Sequence, residues 1–214
     1  MDVLKAIEHM KLVPVAVLED KNNAIPLGEA LLGAGLPIVE VTFRTAEAAK
    51  SISILRKEFP EMLIGAGTVL KIEQVKAAVD AGSKFIVTPG FNPTIVDYCI
   101  AKNRTIIPGI NNPSLIEWGL ERGLDLFKFF PAVLSGGISM LNAFHGPYPT
   151  VKFMPTGGIN EKNMIEFLKL KNVVACGGSW IVKKDLISSG NFEEIKSLTK
   201  SALSKIKSEL GSVV

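Results

Sequence analysis

Short runs rich in Val, Ile, Phe and Leu recur along the chain at 12–18, 38–43, 63–68, 85–88, 105–108, 126–130, 151–155 and 173–177, their starts 20 to 26 residues apart. Each closes on or near Gly, Pro, Ser, Thr or Asn and gives way to a stretch with helical spacing. This alternation constrains the fold more than any other feature. Strands joined by helices pair in parallel, and parallel strands are buried on both faces, so they read as continuous apolar runs. Helix-like segments between them include 25–34, 45–58, 72–81 and 161–169, a last helix covers 192–210, and another at 2–10 precedes the first strand; Gly35, Gly82 and Gly123 are helix stops. Eight strand–helix units predict an α/β chain, one domain over 1–214, folded as a closed parallel (β/α)8 TIM barrel with an extra N-terminal helix. An open doubly wound sheet is the rival.

Composition removes several classes of function. Hydrophobic residues make up 47% of the chain, yet no apolar run approaches the roughly 18 residues that span a bilayer, so no membrane partner is expected. The net charge is +3 with acids and bases interspersed, which leaves no basic stripe for nucleic acid and makes small anions the expected partners. Cys99 and Cys176 offer neither a disulfide framework nor a zinc-type spacing. His9 and His145 are isolated, so no metal is expected, and nothing calls for a cofactor. The N-terminal stretch has an acidic second residue and an apolar piece broken by Pro14. It makes a poor export signal, and the expected location is the cytoplasm.

One residue breaks the apolar pattern. Lys128 sits inside "LDLFKFFPAV", where alternation puts Leu126, Lys128 and Phe130 on one face and Phe127 and Phe129 on the other. If the two Phe pack beneath helices, Lys128 points inward. An ordinary lysine, with a pKa of about 10.4, is free amine in only about one molecule in 2,500 at pH 7. Burial among apolar groups penalises the ammonium, and a Schiff base with a carbonyl substrate is the usual reason to want the free amine. A packed stem with its head in water or on a carboxylate is the plainer possibility. In "IVEVTFRT" the same alternation groups Glu40, Thr42 and Arg44. Glu40 is either the partner of Lys128 in a buried ion pair or a proton shuttle for chemistry at a lysine imine, and the two roles are compatible. Arg44 either clamps a carboxylate or is a surface residue opening the next helix.

The strand ends are rich in glycine. "PTGGIN" at 155–160 and "CGGSW" at 176–180 close the seventh and eighth strands, where barrels of this type bind phosphate. Paired glycines let backbone N–H groups approach an anion closely. "GAGTV" at 65–69 and "SGG" at 135–137 are weaker signals of the same kind.

Taken in order, "EVTFRT", "GAGTV", "TPG", "PGI", "FKFFPA", "PTGGI" and "GGSW" resemble the 2-keto-3-deoxy-6-phosphogluconate aldolase and 4-hydroxy-2-oxoglutarate aldolase family of class I lyases, across essentially the whole chain. The resemblance implies a (β/α)8 barrel and a homotrimer. It implies cleavage of 2-keto-3-deoxy-6-phosphogluconate to pyruvate and glyceraldehyde 3-phosphate, with 4-hydroxy-2-oxoglutarate, giving pyruvate and glyoxylate, as a further substrate. Lys128 would form the Schiff base and Glu40 would be the acid/base. Arg44 and Thr68 would hold the pyruvyl carboxylate, Pro89 and Phe130 would line the pocket at the imine, and Thr156 would contact the aldehyde side. Gly157, Gly158, Gly178 and Ser179 would bind the phosphate. The family often has a glutamate after "FKFFPA", where this chain has Val133. Competing readings are an aldolase for the phosphogalactonate epimer, a phosphate-binding barrel isomerase without a covalent lysine, and a non-catalytic barrel that binds phosphorylated metabolites.

Overall fold

The structure is a computed structural model, which describes residues 3–211. Nine short strands carry it: β1 Leu12–Ala16, β2 Ile38–Thr42, β3 Leu63–Gly67, β4 Phe85–Val87, β5 Thr105–Ile107, β6 Gly109–Ile110, β7 Leu126–Phe129, β8 Lys152–Pro155 and β9 Cys176–Gly178. They form a six-stranded sheet in the order β5-β4-β3-β2-β1-β9 and a three-stranded sheet in the order β6-β7-β8. Every pairing is parallel. From β1 to β5 each strand lies beside its predecessor in the chain, without the reversal of order that an open doubly wound sheet requires.

The two sheets adjoin at both ends. Bridges Phe153↔Val173 and Thr156↔Gly177 link β8 to the segment that runs into β9, and only Pro108 separates β5 from β6. That proline corrects the expected single strand 105–108. It has no N–H to add to a ladder; β5 pairs with β4 before it and β6 with β7 after it, while the Pro108 carbonyl still accepts from Lys128 N at 3.0 Å. The last strand is also displaced, to Cys176–Gly178 from the expected 173–177, because its ladder with β1 begins at Leu12↔Cys176.

Helices cover the outer faces: α1 Val3–Met10, α2 Ala24–Gly33, α3 Ala48–Glu58, α4 Ile72–Asp80, α5 Pro93–Ala101, α6 Pro113–Leu120, α7 Gly137–His145, α8 Met164–Leu168, α9 Lys184–Ser188 and α10 Phe192–Leu210. Asp2, the first residue of the expected N-terminal helix, lies outside the described residues. In α10 the buried set Ile195, Thr199, Ala202 and Ile206 falls at the spacing of one helical face. Gly35, Gly82 and Gly123 all adopt left-handed φ, as helix stops do.

Two helices are shorter than expected for identifiable reasons. α8 begins at Met164 instead of 161 because asparagines hold the preceding turn: Asn160 Oδ1 accepts from Lys162 N at 2.9 Å and Asn163 Oδ1 from Asn160 N at 2.9 Å. α3 begins at Ala48 instead of 45 because Thr45 Oγ1 donates to Leu18 O at 2.6 Å and fixes that residue to the loop after β1. One apolar core runs from Ala6 to Ile206. Phe129 meets Phe144 of α7 edge-on at 6.0 Å, and the Phe127 ring fills the space over Gly119 of α6. Both rings of β7 therefore face the helices, and Lys128 between them faces the other way. No helix among the described residues is long and apolar enough to cross a membrane.

Candidate active site

Lys128 is 3% exposed and Glu40 wholly buried, and Nζ lies 3.5 Å from Glu40 Oε1. They come from β7 and β2, strands in different sheets, so their meeting is a product of the tertiary fold. Among the described residues, neither Glu40 oxygen accepts a hydrogen bond from a protein donor, and its ion-pair partner is Lys128. A buried carboxylate with most of its acceptor capacity unspent is costly, and such groups concentrate at functional sites. The Phe130 ring sits under Lys128 Nζ at 5.1 Å from its centroid, a cation–π distance.

Arg44, Lys128, Phe130, Thr156, Gly157, Gly158, Gly178 and Ser179 line one cavity at the C-terminal ends of the strands. It is graded from dry to wet. Lys128, with Glu40 buried behind it, and Thr156 are buried, Phe130 and Gly157 are half-buried, and Arg44, Gly158 and Ser179 stand at the mouth. Arg44 Nε donates to Thr68 Oγ1 at 3.3 Å, which fixes the plane of the guanidinium. Thr68 itself holds a left-handed φ of 54°, a conformation that costs a non-glycine residue of order 1–3 kcal/mol and gathers at sites of function. Gly157 and Gly158 have φ of 96° and 81°, open only to glycine at low cost. Their loop is tied to the end of β7: Ala132 N donates to Thr156 O at 2.8 Å and Val133 N to Gly157 O at 3.1 Å. The lysine strand and the glycine loop are thus held as one piece.

With this geometry in place, comparison with known proteins is decisive. The family model described as "Aldolase: KDPG and KHG aldolase" matches residues 3–198. The chain belongs to the KDPG and KHG aldolase family. It is 46% identical over 205 residues to the 2-dehydro-3-deoxy-phosphogluconate aldolase of Haemophilus influenzae, covering 96% of this chain and 97% of the other. Among solved structures it is similar to the KDPG aldolase of Legionella pneumophila with pyruvate captured as a covalent carbinolamine intermediate, with a TM-score of 0.91, 40% identity, and 94% and 98% of the two chains covered. It is also similar to the 2-keto-3-deoxy-6-phosphogluconate aldolase of Zymomonas mobilis with 3-phosphoglycerate, with a TM-score of 0.87, 36% identity, and 94% of each chain covered.

Not every residue singled out from the sequence of this KDPG and KHG aldolase family member lies at the same cavity. Pro89 lies two residues beyond β4 and lines a neighbouring cavity with Val69, Leu70 and Phe91. Its carbonyl occupies the space that a Cβ on Gly109 would need, and Gly109 pairs with Lys128 in the β6–β7 register. Val15, Val17, Ile159 and Gly177 line the Lys128 cavity without having been singled out. The two valines share a parity on the first strand that could have placed them inside, but being apolar they carried no chemical signal. Gly177 stood unremarked within "CGGSW"; a Cβ there would meet the Thr156 hydroxyl. Val133, at the departure from the family pattern, is exposed and lies against Gly158, where a Cβ would come within 2.7 Å of it.

Proposed function

We propose that this chain is a class I aldolase that cleaves 2-keto-3-deoxy-6-phosphogluconate to pyruvate and glyceraldehyde 3-phosphate through a Schiff base on Lys128. The observation that carries the reading is the buried Lys128 amine 3.5 Å from a wholly buried Glu40 whose oxygens have no other donor among the described residues. Family membership and the carbinolamine of the Legionella relative support it.

The Lys128 amine attacks the C2 ketone to give a carbinolamine, and loss of water leaves a protonated imine. Electrons of the C3–C4 bond flow into that imine as the bond breaks, while Glu40, directly or through a water, takes the proton of the C4 hydroxyl. Glyceraldehyde 3-phosphate leaves. The enamine is protonated at C3, and water hydrolyses the resulting imine to pyruvate and free amine. Arg44 and Thr68 hold the pyruvyl carboxylate, supported by their mutual hydrogen bond at the mouth. Phe130 and Pro89 flank the imine, and Thr156 faces the aldehyde portion. Gly157, Gly158, Gly178 and Ser179 take the phosphate, a role in keeping with the left-handed glycine pair and the phosphorylated ligand of the Zymomonas relative.

The whole chain, 1–214, forms one domain, its two sheets a single closed eight-stranded barrel in which β5 and β6 are one strand interrupted at Pro108. The bridges from β8 to the β9 segment support that closure. The working form is a homotrimer in the cytoplasm, as the family resemblance implies. 4-Hydroxy-2-oxoglutarate is a second substrate, consistent with the family description. The test is release of pyruvate, followed through lactate dehydrogenase, from the phosphogluconate-derived keto acid, its phosphogalactonate epimer and 4-hydroxy-2-oxoglutarate. Turnover is expected on the first, weaker turnover on the third, and none with Lys128→Met. No turnover on any of the three by folded protein would refute the assignment.

A further inference from the structure

Gly67 ends β3, and the register Glu40↔Gly65, Val41↔Ala66, Thr42↔Gly67 places it two pairs beyond Glu40 toward the C-terminal ends of the strands. Side chains lean along their strand, and Glu40 leans over Gly67. A Cβ there would run into Glu40 Oε1 and lie 2.6 Å from its Cδ and 2.7 Å from its Cγ. Oε1 is the oxygen that faces Lys128 Nζ. Gly67 is not among the residues with left-handed φ, so its backbone does not call for glycine; the space does.

We propose that Gly67 is a positioning residue: its missing side chain is the notch that seats the Glu40 carboxylate against Lys128. Gly67 acts through Glu40 and not on the substrate, and this role rests on the reading of Glu40 as the acid/base. Gly65 on the same strand provides the contrast. A Cβ there would press on ring carbons of Phe85, a wholly buried ring with no freedom to retreat. Over Gly67 lies the tip of a flexible chain, so an added methyl displaces the carboxylate and leaves the strand in place.

The test is Gly67→Ala, alone and with Glu40→Asp. Misplacing a catalytic group by about 1 Å costs on the order of 10²-fold in rate, so kcat of Gly67→Ala is expected to fall on the order of 10²-fold. KM should stay within about threefold, because carboxylate and phosphate contacts are made by other residues. Circular dichroism and the melting profile should remain those of a folded protein. Glu40→Asp draws the carboxylate back by one methylene and is expected to cost on the order of 10²-fold by itself, but less than about threefold in the Gly67→Ala background, where the long chain no longer fits. A folded Gly67→Ala with unchanged kcat, losses that multiply in the double variant, or failure of Gly67→Ala to fold would each overturn the proposal. Glu40→Gln separates this from failure of the underlying reading. Full activity in Glu40→Gln removes Glu40 as acid/base, whereas an inactive Glu40→Gln beside an active Gly67→Ala removes only the notch.

Discussion

Lys128→Met tests the buried pair through stability. The Lys128 side chain is 4% exposed and that of Glu40 0%, so neither charge is appreciably screened by water. Met has a similar length and keeps the packing of the stem but abolishes the charge. Glu40 is then a buried carboxylate without its cation, and breaking a buried pair from one side costs about 3–5 kcal/mol. For a chain of this size 1 kcal/mol shifts Tm by roughly 2–4 °C, so Lys128→Met should melt about 6–20 °C below the parent. Removing both charges in Lys128→Met/Glu40→Leu eliminates the orphan, and stability should return to within about 1 kcal/mol of the parent or exceed it. Thermal and urea unfolding of the parent, both single variants and the double variant form a complete cycle. Each single variant orphans one buried charge at about 3–5 kcal/mol while the double variant stays near the parent, so a coupling of at least about 5 kcal/mol is expected, in a double variant that is stable and inactive. Additive losses would refute the reasoning, because they would mean that the 3.5 Å approach of the two groups carries no energy.

Arg44→Lys keeps the charge and loses the planar fork held by Thr68. KM for the keto acid should rise about tenfold while kcat changes less, since the proposed bidentate carboxylate contact, of about 1.4 kcal/mol, is lost; steady-state kinetics against substrate concentration reads this. Cys99 and Cys176 are both buried, and burial pushes the Cys99 thiol up to about 11 and that of Cys176 higher still. Folded protein at pH 8 should resist iodoacetamide for as long as denatured protein takes to lose both thiols, as thiol titration measures. The native state retains thiol protons that the unfolded chain releases from about pH 9. This contribution to stability is therefore complete below pH 9 and lost as pH rises toward 11.

Much of the fold was legible because parallel strands advertise themselves as short apolar runs, and "IVEVT" and "LFKF" start where those runs start. Alternation put Glu40 and Lys128 on inward faces, but no residue pattern encodes the distance between strands of two different sheets. Helices α5, α6, α7 and α9 had no bounds set from the sequence, although α5 and α6 each open with Asn-Pro. Asn92 accepts from Thr94 N and Asn112 from Leu115 N, so both are N-caps followed by proline at the first helical position. The glycines whose φ is left-handed could be anticipated from turn chemistry. Gly67 could not, because its reason for being glycine is a glutamate from another strand. The apolar lining of the cavity was hidden for a related reason: Val15 and Val17 look like any other core residues until the fold turns them toward Lys128.

The covalent role of Lys128 is tested most directly by incubating the protein with pyruvate and sodium borohydride and mapping the modified peptide by mass spectrometry. A reduced pyruvyl group is expected on Lys128, one per chain, and none on Lys128→Met. Label on a different lysine, or no label on protein that turns over substrate, would contradict it.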